Sequence, residues 1–401
     1  MATKAILDDT QEANIDTEEN ALEEEDKSGS DLKMKPWNPN DIRITTKNFT
    51  IREIYTQIQD KDPNDPDQEI ELDLAPDFQR SFVWNIKQQI RLIESILLGI
   101  PLPAFYFNQD KDGAQQVIDG VQRLTTIKRF MSDQLELKEE YLEYLGPLKG
   151  STFSTLDTIT KRRFDRTQIV AHVIEPQTPD DVKYDIFNRV NTGGSPLEAQ
   201  EIRHCMSKTR SREFLRELVE SENFDKAMGK FFWRKNSAKQ WVRNSKRMTD
   251  REMVLRFCAF YVEPLKKYSE ASSLDAFLLD FSRWLDREAK PNDLKNLKFA
   301  FEQAMQNCYQ VFGKGAFRRW YPSNDLPKGR INRAIFESQA LALADYPPDI
   351  VLTKKKAIES ALRELFNDPS YDDAVSFSTG SYRKVENRIV KPRQVLENIL
   401  K

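Results

Sequence analysis

Val117-Ile118-Asp119-Gly120-Val121-Gln122-Arg123-Leu124-Thr125-Thr126 takes the chain from a short apolar strand, through Asp-Gly, into a helix. Gly120 permits a tight turn and close approach of backbone. Asp119, at the strand's end, can hold a metal ion or a proton. Arg123, on the first helical turn, can fork onto a phosphate beside the open amides of a helix N-terminus. Ordinary strand-to-helix turns contain the same parts, so the reading depends on what surrounds the segment.

Working outward, Gln115 to Ile118 and Ala104 to Phe107 are expected as strands joined by a turn through Asp110-Lys111-Asp112-Gly113, and a helix is expected from Gln122 to Met131. Upstream, Asn85 is placed to cap a helix reaching about Leu98, with Ile86, Ile90, Ile93, Ile96 and Leu97 on one face and Gly99 closing it. Glu94 on that helix reads as part of its solvated face. Ile70 to Leu74 alternates as a strand, Asp60 to Asp67 reads as a loop, and order is expected from about Ile42. Downstream, Ile169 to Ile174 is a further strand. Thr178-Pro179 opens a helix ending near Val190, and Ser195-Pro196-Leu197-Glu198 has the form of a capping box with Pro at N1. From Ser211 on, the periodicity is almost exclusively helical, as in Met253 to Tyr261, Leu274 to Leu285, Leu294 to Phe312 and Ile331 to Ala344.

With 401 residues, 31% charged and 39% hydrophobic, the chain has material for two cores. Its net charge of −3 conceals a segregation. Residues 1–35 hold eleven acidic and four basic residues, leaving 53 acidic and 57 basic in the remainder. Residues 1–40 are therefore expected to be a disordered acidic tail, either solubilising or a mimic of nucleic acid that competes for a basic groove. The longest apolar run, Ile96 to Phe107, is broken by Gly and Pro, so no membrane partner is expected. No signal segment opens the sequence, and a cytoplasmic location is expected. Cys205, Cys258 and Cys308 are too far apart for a metal pair and are expected in cores. His172 and His204 fall in no metal-type or triad context, and no phosphate-binding P-loop is present.

Two further segments join the first: Ala75-Pro76-Asp77-Phe78-Gln79-Arg80-Ser81-Phe82-Val83-Trp84, and Phe187-Asn188-Arg189-Val190-Asn191-Thr192-Gly193-Gly194-Ser195-Pro196-Leu197-Glu198 with Glu201-Ile202-Arg203 after it. In this order, over roughly residues 45 to 205, the three resemble the N-terminal domain of GmrSD-type restriction endonucleases. That is a branch of the ParB/sulfiredoxin-like superfamily in which an Asp-Gly-Gln-Gln-Arg motif serves nucleotide-dependent action on DNA. The closing stretch from Phe377 to Arg393 is also similar to the family's ending. Val121 stands where the family's motif has its first Gln. With no histidine after His204, the chain is expected to lack the C-terminal His-Asn-His nuclease domain of many relatives.

The resemblance implies an α+β protein: a ParB/sulfiredoxin-like domain with a small mixed sheet at 41–206, then a mostly helical domain at 207–401. It implies a defence protein of restriction or phage-exclusion type that binds a nucleoside triphosphate with Mg²⁺ and acts on DNA, by hydrolysing the nucleotide or nicking DNA, alongside a separate nuclease or defence subunit. Asp119, Gln122 and Arg123 would be catalytic, with Asp119 holding the metal. Gln79, Arg80, Gly120, Thr125, Thr126, Arg189, Asn191 and Thr192 would hold the nucleotide. In a plainer reading, Arg80 and Arg123 pair with Asp119 or Glu201 in a structural network.

For DNA the richest segment is Lys226 to Arg251. Lys230, Arg234, Lys235, Lys239, Arg243 and Arg247 are its candidates, with Phe231, Phe232, Trp233 and Trp241 between them to stack on unpaired bases. A second basic cluster lies at Lys314, Arg318, Arg319, Lys328, Arg330 and Arg333. The plain reading of the first is a solvated basic helix whose aromatics are core. The alternative for the whole protein is a non-catalytic DNA-binding or assembly module that uses nucleotide only as a switch.

Overall fold

A computed structural model describes residues 38–58, 71–74, 84–111, 113–190, 198–235, 239–243, 245–271, 273–376 and 380–400. The acidic tail to residue 37, the 60–67 loop, Gln79, Arg80, Asn191 to Leu197 and Phe377 to Thr379 lie outside these. The chain divides into two compact units between Met206 and Ser207. It is an α+β protein.

The first unit is built on a five-stranded sheet: β1 (Ile44–Thr50), β2 (Leu72–Asp73), β3 (Phe105–Gln109), β4 (Gln115–Asp119) and β5 (Gln168–Ile174), in the order β1-β5-β3-β4-β2. The sheet is mixed. β1 with β5 and β3 with β4 are antiparallel, while β5 with β3 and β4 with β2 are parallel. Strand alternation sends Phe105, Phe107, Val117, Ile169, Ala171 and Val173 to one face. There they share a core with Ile51 and Ile54 of α1 (Ile51–Gln57), Ile90, Ile93 and Ile96 of α2 (Ile86–Leu98), Leu124, Ile127 and Phe130 of α3 (Val121–Met131), and Phe164 of α4 (Thr158–Arg166). After β5 come α5 (Asp180–Val190) and α6 (Ala199–Met206), and α6 packs on β4.

α2 begins and ends where its sequence says. Asn85 accepts from the Gln88 amide while Gln88 returns to the Asn85 amide, and Gly99 closes the helix in the left-handed conformation. Glu94 corrects the expectation of a solvated face. It is 2% exposed, and its carboxylate accepts from the amides of Glu143, Tyr144 and Leu145 at 2.7–3.0 Å. Burial pushes its pKa up, but these three amides and Arg91 outweigh it, leaving the carboxyl below the usual glutamate range.

The second unit is a helical bundle of α7 (Thr209–Val219), α8 (Glu222–Ala227), α9 (Thr249–Val262), α10 (Leu265–Glu270), α11 (Leu274–Arg287), α12 (Pro291–Phe312), α13 (Arg333–Leu343), α14 (Pro348–Thr353), α15 (Lys355–Glu364), α16 (Pro369–Ser376) and α17 (Tyr382–Leu400). Helix predominates, as the periodicity leads one to expect, but not throughout. Between α8 and α9 the chain forms a hairpin of β6 (Trp233–Lys235) and β7 (Trp241–Arg243). At the bundle's centre Glu337 of α13 is fully buried between Arg256 of α9, at 3.2 Å, and Arg388 of α17, at 2.6 Å. Glu252 balances the charge by pairing with Arg256 at 2.5 Å. All three cysteines are buried and none forms a disulfide. No described helix is long and apolar enough to cross a membrane.

Two substitutions test these buried charges. Glu94→Gln keeps the shape but removes the charge that gathers the three amides. Because the native carboxyl is depressed, its contribution is full above the unfolded value near 4.3 and is lost as pH falls through the lower native value. The variant should therefore lose about 1–3 kcal/mol in urea unfolding at pH 7, and the difference from the parent should shrink below about pH 4. Glu337→Ala strands two buried guanidinium groups and should cost about 3–5 kcal/mol in the same measurement.

Candidate functional site

Asp119 is the last residue of β4, and a bulge decides where it points. Phe107 pairs with Val117, but the next pair is Tyr106 with Asp119, so Ile118 and Asp119 together oppose Tyr106. Gly120 follows with φ 103°, a left-handed backbone that disfavours any side chain. A Cβ there would also meet the Phe105 ring at 2.2 Å. Without a side chain, Gly120 provides no cap for α3, whose positive end opens beside Asp119.

Arg123 reaches back from the first turn of α3. Its Nη2 donates to Asp119 Oδ2 at 2.8 Å and to the Ala104 carbonyl at 3.2 Å, and its Nη1 donates to the Pro103 carbonyl. The guanidinium lies over the Phe105 ring, 4.1 Å from its centre. Burial pushes its pKa down and Asp119 pushes it up. Only 11% of the Arg123 side chain is exposed, against 35% for Asp119. Arg123 is thus a clamp between two strand ends, as the structural-network reading has it, and the open charge at the turn is the carboxylate.

Gln122 joins the first sequence motif to the second. Its Oε1 accepts from the Trp84 amide at 3.4 Å. The Trp84 carbonyl accepts from Gln89 Nε2 at 3.0 Å, and Gln89 Oε1 accepts from Arg129 at 2.9 Å. Trp84 closes the segment that carries Gln79 and Arg80, so α2 and α3 anchor the end of that segment at the start of α3. Gln89 and Arg129 escaped the sequence reading. The available signal was a glutamine beside the apolar stripe of α2, where it is 1% exposed.

The remaining candidates divide. Thr126 is fully buried, and its hydroxyl donates to the Gln122 carbonyl at 2.8 Å, within its own helix. Thr125 is half-buried on α3, and Arg189 is exposed in the last turn of α5. α5 packs on α6 and α6 on β4, which carries Asp119. Gln79, Arg80, Asn191 and Thr192 lie outside the described residues. His172 is half-buried in β5, with Nδ1 2.9 Å from the Thr46 hydroxyl and its ring 5.0 Å from that of Tyr106. His204 is buried in α6.

For a resident metal the donor set fits poorly. No group of three or more His, Cys, Asp or Glu side chains converges among the described residues, and one Asp119 oxygen already accepts from Arg123. One carboxylate does suffice for a Mg²⁺ that arrives with its waters on a triphosphate.

In the second unit the DNA candidates sit on the β6–β7 hairpin and its flanks. Lys230, Arg234, Lys235 and Lys239 are exposed, and Arg247 is half-buried with φ 59°. Arg243 is different. It pairs with Asp225, lies 3.7 Å from Asp250, and faces the Trp233 ring at 5.5 Å, with 16% of its side chain exposed. It anchors the hairpin.

Residues 51–207 match the family described as the GmrSD restriction endonuclease, N-terminal domain. The match runs from α1 to just past the end of α6 and is therefore confined to the part of the chain that carries the Asp-Gly turn. No match to the chain is found among curated proteins.

The clamp predicts a stability cost independent of any ligand. Gly120→Ala meets both the left-handed backbone and the Phe105 ring, and Arg123→Lys exchanges a fork for a single ammonium. Each should lower unfolding free energy by about 1–3 kcal/mol in urea denaturation without nucleotide. Parent-like stability in both would mean the turn is held by something else.

Proposed function

We propose that this protein, by the similarity of residues 51–207 to the GmrSD N-terminal domain, is a nucleotide-dependent, DNA-acting component of a restriction-type defence system. Its first unit would bind a nucleoside triphosphate at the Asp119 turn, and its second would contact DNA, with a separate nuclease or defence subunit as a further partner. The observation that carries this reading is the juxtaposition at α3, where an uncapped helix N-terminus, a half-exposed Asp119 and the anchored end of the Gln79–Arg80 segment meet. Amides at a helix start favour phosphate oxygens. Mg²⁺ would enter as part of the nucleotide, with Asp119 as the carboxylate it meets.

Within that reading the roles shift from those implied by the motif alone. Arg123 is a positioning residue, because its donors hold Asp119 and two backbone carbonyls. Phosphate charge would fall to Arg80 and Arg189, the arginines of the two other sequence motifs. Gln122, bonded to the Trp84 amide, would couple nucleotide to the placement of Arg80. Cytoplasmic action follows from a DNA substrate.

A second reading has a specific observation in its favour. With Val121 at the motif's first Gln position and Arg123 committed to the fold, the turn has few groups left to orient a water. Nucleotide would then act only as a switch for a DNA-binding or assembly module.

Phosphate release from ATP, GTP and CTP, with and without DNA, separates the two. The hydrolytic reading expects turnover that falls at least 100-fold in Asp119→Asn while DNA affinity stays within about twofold. Absence of turnover, with nucleotide still raising Tm, would select the switch; neither effect would leave nucleotide out of the function.

A further inference from the structure

We propose that the β6–β7 hairpin is a stacking probe for nucleic acid with an unstacked base, and that Trp241 is the residue on which that base stacks. This rests on the reading that the second unit contacts DNA, and names what the contact recognises. The hairpin is fixed at one end and open at the other. At its root, Arg243 is tied to Asp225 and faces Trp233, and Phe232 stacks on Phe224 at 5.9 Å. Two register steps further out, Lys235 pairs with Trp241, with its ammonium 5.3 Å from the indole centre. Trp241 is 63% exposed.

A lone exposed apolar residue is commonplace. Here charge selects the occupant. From Lys226 to Thr249 there are eight basic residues and no acidic one. Among the described residues Lys230, Lys235 and Lys239 have no carboxylate partner. Lys230 and Lys239 both hold left-handed backbone, at φ 57° and 60°, a conformation that glycine would adopt at lower cost. A two-stranded ribbon with a cationic rim fits a groove of DNA. An indole presented between lysines on a rigid root suits the π-face of a base, which a stacked duplex hides and a bulge, gap or single strand offers.

The test uses the full chain and fluorescence anisotropy with three DNA probes: a fully paired duplex, the same duplex with one unpaired adenine, and the single strand. Trp241→Ala should weaken binding to the bulged duplex and the single strand by about 10-fold or more, and to the paired duplex by no more than about twofold; Trp241→Phe should recover most of the loss. Lys235→Ala should weaken all three and flatten the salt dependence by about one counterion. Equal affinities of parent and Trp241→Ala for every probe would overturn the proposal while leaving DNA binding intact. Failure of the parent to bind any probe at low salt would overturn the DNA reading beneath it. Vesicles containing phosphatidylserine form the last arm, since tryptophan and lysine also suit a lipid surface: binding to vesicles but not DNA, lost in Trp241→Ala, would overturn the proposal in favour of a membrane.

Discussion

One largely buried guanidinium, that of Arg123, holds the first unit's Asp-Gly turn together. The chain enters β3 through Pro101-Leu102-Pro103, and prolines have no amide to donate, so carbonyls in this lead-in need donors from elsewhere. Arg123 supplies them to Pro103 and Ala104 and, with the same nitrogen that reaches Ala104, to the Asp119 carboxylate. A lysine has no such fork. Removal of the arginine would take one shared donor from the end of β4 and the start of β3 and untie the first turn of α3 from both, leaving the Tyr106–Asp119 pairing to hold the strand ends.

This constraint changes what the Asp-Gly turn can do. A guanidinium with its donors engaged in the fold cannot swing onto a phosphate without giving up bonds that would have to be replaced in a partly buried place. What it does provide is a fixed carboxylate. The bulge at Ile118–Asp119 turns the side chain, the clamp holds one oxygen, and the absence of a side chain at Gly120 leaves the start of α3 approachable. Gln122 then links this rigid point to Trp84. Any nucleotide-dependent change in the Gln79–Arg80 segment would be transmitted through that short connection, on which both proposed modes of action converge.

Local rules made much of this legible. The limits of α2 could be read from Asn85 and Gly99, and the strand-to-helix passage at Asp119 from an apolar run meeting a glycine. The illegible parts are non-local. The carbonyl acceptors of Arg123 lie nearly twenty residues upstream, and no pattern around Arg123 announces them. Glu94 borders the apolar stripe of α2 and resembles any surface glutamate until the loop at 143–145 folds three amides onto it. The β6–β7 hairpin escaped because three-residue strands are too short for an alternation to stand out. Its aromatic spacing also imitates the helical periodicity on either side.

The basic residues sort themselves by the same physics. Four cations wholly or largely withdrawn from water each meet a carboxylate: Arg123 with Asp119, Arg243 with Asp225, Arg256 and Arg388 with Glu337. An unpaired charge could not remain in those places at tolerable cost. Lys230, Lys235 and Lys239, which have no carboxylate partner among the described residues, remain in water, where they contribute little to the fold. Arg243 marks the boundary between the two kinds, bound to carboxylates on one side and continuous with the exposed strand pair on the other. Arg243 thus ties the base of the hairpin while its lysines and Trp241 stay exposed, and such a tie would lower the entropy lost if a strand of opposite charge docked there.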